Sequence, residues 1–157
     1  MNTLEEQSTV ECRKGEFLVS TDKSKLDLNT IYSYLSESYW AKGIPREVVV
    51  RSLQNSLCFG IFAGAEQIGF ARVITDFATY AYLADVFVLD GYRGRGLAKW
   101  LMECIVAHPQ LQGLRRWTLA TRDAHTLYEK FGFKPLAKPD SFMELHDPEV
   151  YSRNLAC

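Results

Sequence analysis

The feature that most constrains the fold is Asp85-Val86-Phe87-Val88-Leu89-Asp90-Gly91-Tyr92-Arg93-Gly94-Arg95-Gly96-Leu97-Ala98, an apolar run that breaks into a turn rich in glycine and arginine. The run reads as a strand. The turn opens directly into a helix, because Leu97, Trp100, Leu101, Cys104 and Ile105 recur at helical spacing. Gly94 to Gly96 therefore sit where the first unpaired N–H groups of that helix point, and such an end attracts anions. The glycines let the backbone approach a ligand, while Arg93 and Arg95 add permanent positive charge. A plain strand-to-helix turn with two solvated arginines fits the same residues.

Two familiar phosphate loops are excluded. A P-loop needs Gly, four residues and then Gly-Lys-Ser/Thr, which does not occur, and the third glycine of a dinucleotide fingerprint is replaced by Lys99.

The rest of the chain supplies elements around this turn. Glu16 to Ser20 reads as a strand, and Asp27 as the N-cap of a helix with the stripe Leu28, Ile31, Tyr32, Leu35 and Tyr39 that ends near Trp40. Pro45 suits the first position of a second helix reaching Asn55. Leu57 to Ala63 and Gln67 to Thr75 form a hairpin about Gly64-Ala65-Glu66, and Tyr80 to Leu89 adds a third antiparallel strand. A helix from Arg95 to His108 stops before Pro109, so the strand Arg116 to Thr121 should lie parallel to its predecessor. A short helix from Ala124 to Phe131 ends at Gly132, and Phe133 to Leu136 and Ser141 to Leu145 are expected as final strands. The expected class is α/β (α+β): a mixed, mostly antiparallel central sheet of about six or seven strands, with about four helices on both faces. Residues 1–15 are polar and aperiodic, and are read as a flexible N-terminal segment or a short edge appendage to a single domain over 16–157.

Composition narrows the partners. A chain of 157 residues, 47% hydrophobic, can bury one sizeable core. Net charge is −1 and no long basic run occurs, which argues against nucleic acid; the positive charge is local, at Arg93, Arg95 and Lys99 and at Arg115 and Arg116. Cys12, Cys58, Cys104 and Cys157 are far apart and form no metal spacing with His108, His125 or His146, so they read as reduced thiols and no metal is expected. The polar N-terminus lacks a signal-peptide core and no run reaches membrane-spanning length, so the expected location is cytoplasmic, without a membrane partner.

Arg93, Gly96 and Ala98 match the Arg/Gln-x-x-Gly-x-Gly/Ala signature of the acyl-coenzyme A loop in the GNAT superfamily of N-acetyltransferases, which this chain resembles. A second segment, Thr121 to Phe133, resembles that superfamily's Asn-x-x-Ala-x-x-Leu-Tyr-x-x-x-Gly-Phe from Ala124 onward and departs from it at Thr121. The resemblance covers roughly Glu16 to Leu145, and the order of elements agrees with it.

The resemblance implies an acetyl-CoA-dependent N-acetyltransferase acting by direct attack of an amine on the thioester. It places the pantetheine arm along the main chain of Phe87 and Val88. The pyrophosphate would rest on the N–H groups of Arg93, Gly94, Arg95, Gly96, Leu97 and Ala98. Tyr128 matches the usual general acid, although its spacing alone makes it a core residue of a short helix. Asp85 is the candidate base, with a structural hydrogen bond or a water chain as alternatives; Asp76 reads as a turn residue and His125 as a cap or surface group. Tyr39, Trp40, Phe77, Tyr80 and Tyr82 are candidates for lining an acceptor pocket, which would suit a small-molecule amine with an apolar body, or else a peptide or protein amine. Exposed sheet edges leave room for a homodimer. The competing readings are a non-catalytic acyl-CoA-binding module and an unrelated nucleotide-binding domain.

Overall fold

The computed structural model describes residues 8–153. The expectations for residues 1–7 and for Cys157 fall outside them. Among the described residues, six strands form one sheet in sequence order: β1 (Glu11–Lys14), β2 (Phe17–Ser20), β3 (Leu57–Ala63), β4 (Glu66–Thr75), β5 (Tyr80–Val88) and β6 (Arg116–Leu119). All neighbours are antiparallel except β5 and β6, which are parallel, as the helical crossover between them requires. Glu11–Lys14 take the edge-appendage alternative and pair with β2, so this part of the N-terminal segment belongs to the sheet.

Among the described residues four α-helices cover the sheet: α1 (Leu28–Glu37), α2 (Arg46–Gln54), α3 (Leu97–Val106) and α4 (His125–Glu129). The Asp27 carboxylate accepts from the N–H groups of Asn29 and Thr30, which fixes the start of α1. Pro45 occupies the N-cap of α2 rather than its first helical position, with extended backbone. On one face of the sheet, Ile31, Leu35, Val49 and Leu53 from α1 and α2 pack on Phe70 and Phe87. On the other, Trp100, Leu101 and Ile105 from α3 and Tyr128 from α4 pack on Ile68, Val73 and Leu83. Each fully buried side chain of this size stabilises the fold by about 2 kcal/mol. Cys58 and Cys104 are core residues, and Cys12, Cys58 and Cys104 are free thiols.

The two final strands do not form. Phe133 is spent on packing, with its ring edge-on to Trp117 and Tyr128, and Pro135 lacks a ladder donor. Pro139–Ser141 coil into a 3-10 turn, Phe142 after it is extended, and the stretch from Phe142 to His146 pairs with no strand. No helix among the described residues is long and apolar enough to cross a membrane.

Candidate active site

The site begins with a defect in β5. Phe70 pairs with Phe87, but two residues on in β4, Arg72 pairs with Ala84, so β5 carries one extra residue between them. Asp85 absorbs the bulge in the left-handed region, at φ +56, which aspartate tolerates better than most residues. Beyond the bulge β5 has no neighbour on its β6 side among the described residues. The two strands pair only from Tyr80–Leu83 to Arg116–Leu119, after which β6 gives way at Ala120 and the chain peels off toward α4. A cleft of about 1040 Å³ opens between them. Asp85 to Val88 form one wall, Leu119 to Ala124 the other, and Tyr128 of α4 and Tyr39 and Trp40 after α1 also line it.

Strand alternation decides which main-chain groups face this cleft. Leu89 N donates to Ile68 O at 2.8 Å, so Phe87 and Leu89 turn their main chain toward β4, and Val86 and Val88 turn theirs the other way. Phe87 thus contributes its ring, which stacks on Tyr34 with centroids 4.0 Å apart. The Val88 carbonyl is already engaged, because Arg93 Nε donates to it at 3.1 Å. Arg93 also donates to the Tyr34 hydroxyl at 2.9 Å and meets Asp90 at 3.0 Å. Its guanidinium therefore clamps the loop to β5 and α1.

At the head of α3, Gly94 and Gly96 take φ +78 and +74, and a Cβ on either would meet nothing within 4 Å. Gly96 is the N-cap and makes no side-chain capping bond, so the N–H groups of Leu97, Ala98 and Lys99 lie open at the positive end of the helix. Arg95 is half-exposed, 5.4 Å from the Tyr92 ring centroid and 4.0 Å from the Glu16 carboxylate.

Tyr128 lies in the cleft at 7% exposure, its ring against Phe133. Burial, with the nearby Tyr39 and Asp123 adding to it, pushes its hydroxyl up to about 12. Across the mouth, Arg122 N donates to the Tyr39 hydroxyl at 3.2 Å, and the Arg122 guanidinium sits 3.9 Å from the Tyr39 ring centroid. The loop after α1 is thereby tied to the loop before α4.

Asp85 is not a free carboxylate. Arg72 Nε donates to its Oδ2 at 2.8 Å and Trp40 Nε1 to its Oδ1 at 2.9 Å, while Arg72 also donates to Ser56 Oγ at 3.1 Å. Tyr82 lines the cleft beside it, its hydroxyl pushed up by burial first and by the Asp85 charge second. Phe77 does not reach the site: it sits in the β4–β5 turn at φ +60, packed against the core on the α3 side. Tyr80 also lies outside the cleft lining, and its hydroxyl pairs with Thr118 across β5 and β6. Asp76 accepts three N–H groups within that turn, which hold its carboxyl well below the usual range.

Among the described residues no group of three or more His, Cys, Asp or Glu side chains is placed to hold a metal ion.

The sequence profile of the acetyltransferase (GNAT) domain matches residues 54–135, more than half of the chain. The chain belongs to the GNAT acetyltransferase family. A solved GNAT-family structure from Xanthomonas campestris pv. campestris, a candidate acetyltransferase, is 54% identical with a TM-score of 0.85, covering 87% of this chain and 97% of that one. A candidate acetyltransferase of Gibberella zeae is 32% identical over 74% of this chain and 78% of its own. A GNAT structure from Elizabethkingia anophelis, with acetyl-CoA bound, shares the fold at 16% identity and a TM-score of 0.60, covering 83% and 88%.

Sequence reasoning missed Arg72, Tyr34 and Arg122 as parts of the site. Arg72 had a signal: it is a charge inside an apolar strand, and so is Asp85 in the neighbouring strand.

Proposed function

We propose that the protein transfers the acetyl group of acetyl-CoA to a primary amine of a small molecule by direct attack of the amine. What carries this reading is one continuous cleft that runs from Arg93 and Ala98 at the start of α3, along Val88 and Val86, to the buried Tyr128. The residues fit this cosubstrate: the open N–H groups at the head of α3 suit a pyrophosphate, and the outward main chain of β5 suits an amide-bearing arm. Likeness in fold to a protein that holds acetyl-CoA supports the choice.

Bound there, acetyl-CoA supplies an activated thioester. The Val86 and Val88 main chain aligns the arm, and the bulge at Asp85 sets how far along β5 that alignment runs. As the amine nitrogen bonds to the acetyl carbon and the C–S bond breaks, Tyr128 gives its proton to the departing sulfur, a contribution of about a hundredfold or more. The phenolate then regains a proton from solvent, and the amine's surplus proton leaves to water in the open cleft. Asp85 holds the indole of Trp40 in place as a wall of the acceptor pocket, with Tyr39 and Tyr82 beside it. Its two oxygens already accept bonds from Arg72 and Trp40, so the proton acceptor is assigned to water.

Thiol release from acetyl-CoA across a panel of small amines tests the reading. Turnover with at least one amine, lost in Tyr128→Phe while acetyl-CoA still binds, is the expected result. Binding without turnover on any amine would instead indicate a non-catalytic module.

A further inference from the structure

Two thiols meet in the core between the first strand of the sheet and α3. In β1, Cys12 stands opposite Val19 of β2, which in turn stands opposite Ile61 of β3. Directly paired residues share a face of the sheet, and Val19 and Ile61 are buried in the core on the α3 side, so the Cys12 side chain turns the same way. Cys104 enters that core from the helix. It follows Trp100 by one turn on the buried face of α3 and is 6% exposed. The Cys104 thiol has the Cys12 sulfur as a hydrogen-bonding neighbour, and burial first, then this neighbour, push it up to about 12. Cys58 packs on the opposite face of the sheet with α1 and α2, out of reach of both.

The two thiols differ in access. Cys12 is partly exposed on an edge strand, whereas Cys104 is closed in. We propose that Cys12 and Cys104 form a reversible redox pair, in which hydrogen peroxide oxidises the accessible thiol and the buried one closes a disulfide that staples β1 to α3. The Cys12 thiolate attacks one peroxide oxygen, the O–O bond breaks, and a sulfenic acid forms while the departing hydroxide takes a proton and leaves as water. The Cys104 sulfur then displaces the sulfenic hydroxyl, which departs with the Cys104 proton as a second water, and the S–S bond forms. The two thiols lose two electrons in all, and one peroxide accepts them. Oxidation of Cys12 also removes the charge that holds the proton on Cys104, so the first step prepares the second.

β1 is the element such a bond would hold. It is four residues long, lies at the end of the sheet and, among the described residues, pairs only with β2; its ion pair, Glu11 with Lys25, is open to solvent. A crosslink that closes a loop of about 90 residues also takes much freedom from the unfolded chain. The pair does not depend on the acetyl-transfer reading.

Brief exposure of the reduced full chain to a slight excess of hydrogen peroxide tests the pair. Thiol titration in denaturant should fall from the four cysteines of the sequence to two, a peptide map should show Cys12 joined to Cys104, and dithiothreitol should return all four thiols. The oxidised chain should melt about 5 °C or more above the reduced one. Cys12→Ser should keep its remaining thiols and its melting temperature under the same treatment, and Cys104→Ala should stop at a sulfenic acid on Cys12 that dimedone captures. A chain that keeps all four thiols, or one that carries Cys12 to the sulfinic acid without a crosslink, overturns the proposal. So does a disulfide that uses Cys58 or Cys157 or that joins two chains.

Discussion

Arg72 and Asp85 meet at 2.8 Å across neighbouring strands, with side chains only 15% and 10% exposed, and Trp40 closes the carboxylate from the loop after α1. This pairing joins the sheet to the acceptor wall. Removing the carboxylate strands a guanidinium with little water to solvate it, so Asp85→Ala should destabilise the fold by about 3 kcal/mol in urea denaturation. Arg72→Met with Asp85→Leu should recover part of that loss. Asp85→Asn, which keeps an acceptor for Trp40, should lower kcat/KM far less than the hundredfold or more expected for loss of a general base. A larger fall, with an ionisation missing from the pH profile, would return Asp85 to the role of base.

Tyr128→Phe removes one oxygen from a buried ring and should leave the Kd for acetyl-CoA nearly unchanged in calorimetry. Turnover should drop about a hundredfold. The hydroxyl's raised value of about 12 has a further consequence for stability. The unfolded phenol loses its proton near pH 10 while the folded one keeps it, so the unfolded state gains from rising pH and stability falls between about pH 10 and 12. In Tyr128→Phe that alkaline loss should be shallower, as read from urea midpoints along the pH series.

Much of this was legible in the chain because it is written in local geometry. Gly94 and Gly96 announce positive φ, Asp27 caps a helix, and the spacing of Leu97, Trp100 and Leu101 fixes a helix face; none of these depends on a distant partner. Arg72 and Asp85 lie 13 residues apart and meet only through a register with an added residue, which no periodicity reveals. Phe77 reads as a pocket aromatic until the β4–β5 turn packs it, half-buried, against the core on the α3 side. Ser141–Leu145 has a strand's composition, but composition does not supply a partner strand, and the segment has none among the described residues. Arg93 reads from the sequence as a charge for phosphate, while its three partners make it a clamp.

The glycine at position 96 separates cofactor binding from chemistry. At φ +74 any other side chain costs about 1–2 kcal/mol of backbone strain, yet its Cβ would meet no protein atom. Gly96→Val should therefore melt only modestly lower while its side chain stands over the N–H groups proposed for the pyrophosphate. Calorimetry should show acetyl-CoA binding weakened by about tenfold or more. Unchanged affinity would remove the helix start from the binding site.

His108 offers a pH test of the core on the α3 side. Its Nδ1 accepts from Gln110 N at 3.1 Å, so the ring proton sits on Nε2, which is buried and has no partner among the described residues. Burial lowers its pKa below the ordinary 6.5. The folded state thus resists a proton that the unfolded state takes up, and the stability tied to the neutral ring is present above pH 6.5 and lost as pH falls through the folded value. His108→Asn keeps an acceptor for Gln110 N but does not titrate. Measured by urea midpoint on either side of pH 6.5, the wild type should weaken more steeply on acidification than His108→Asn, and equal slopes would show that the imidazole is not held neutral by its surroundings.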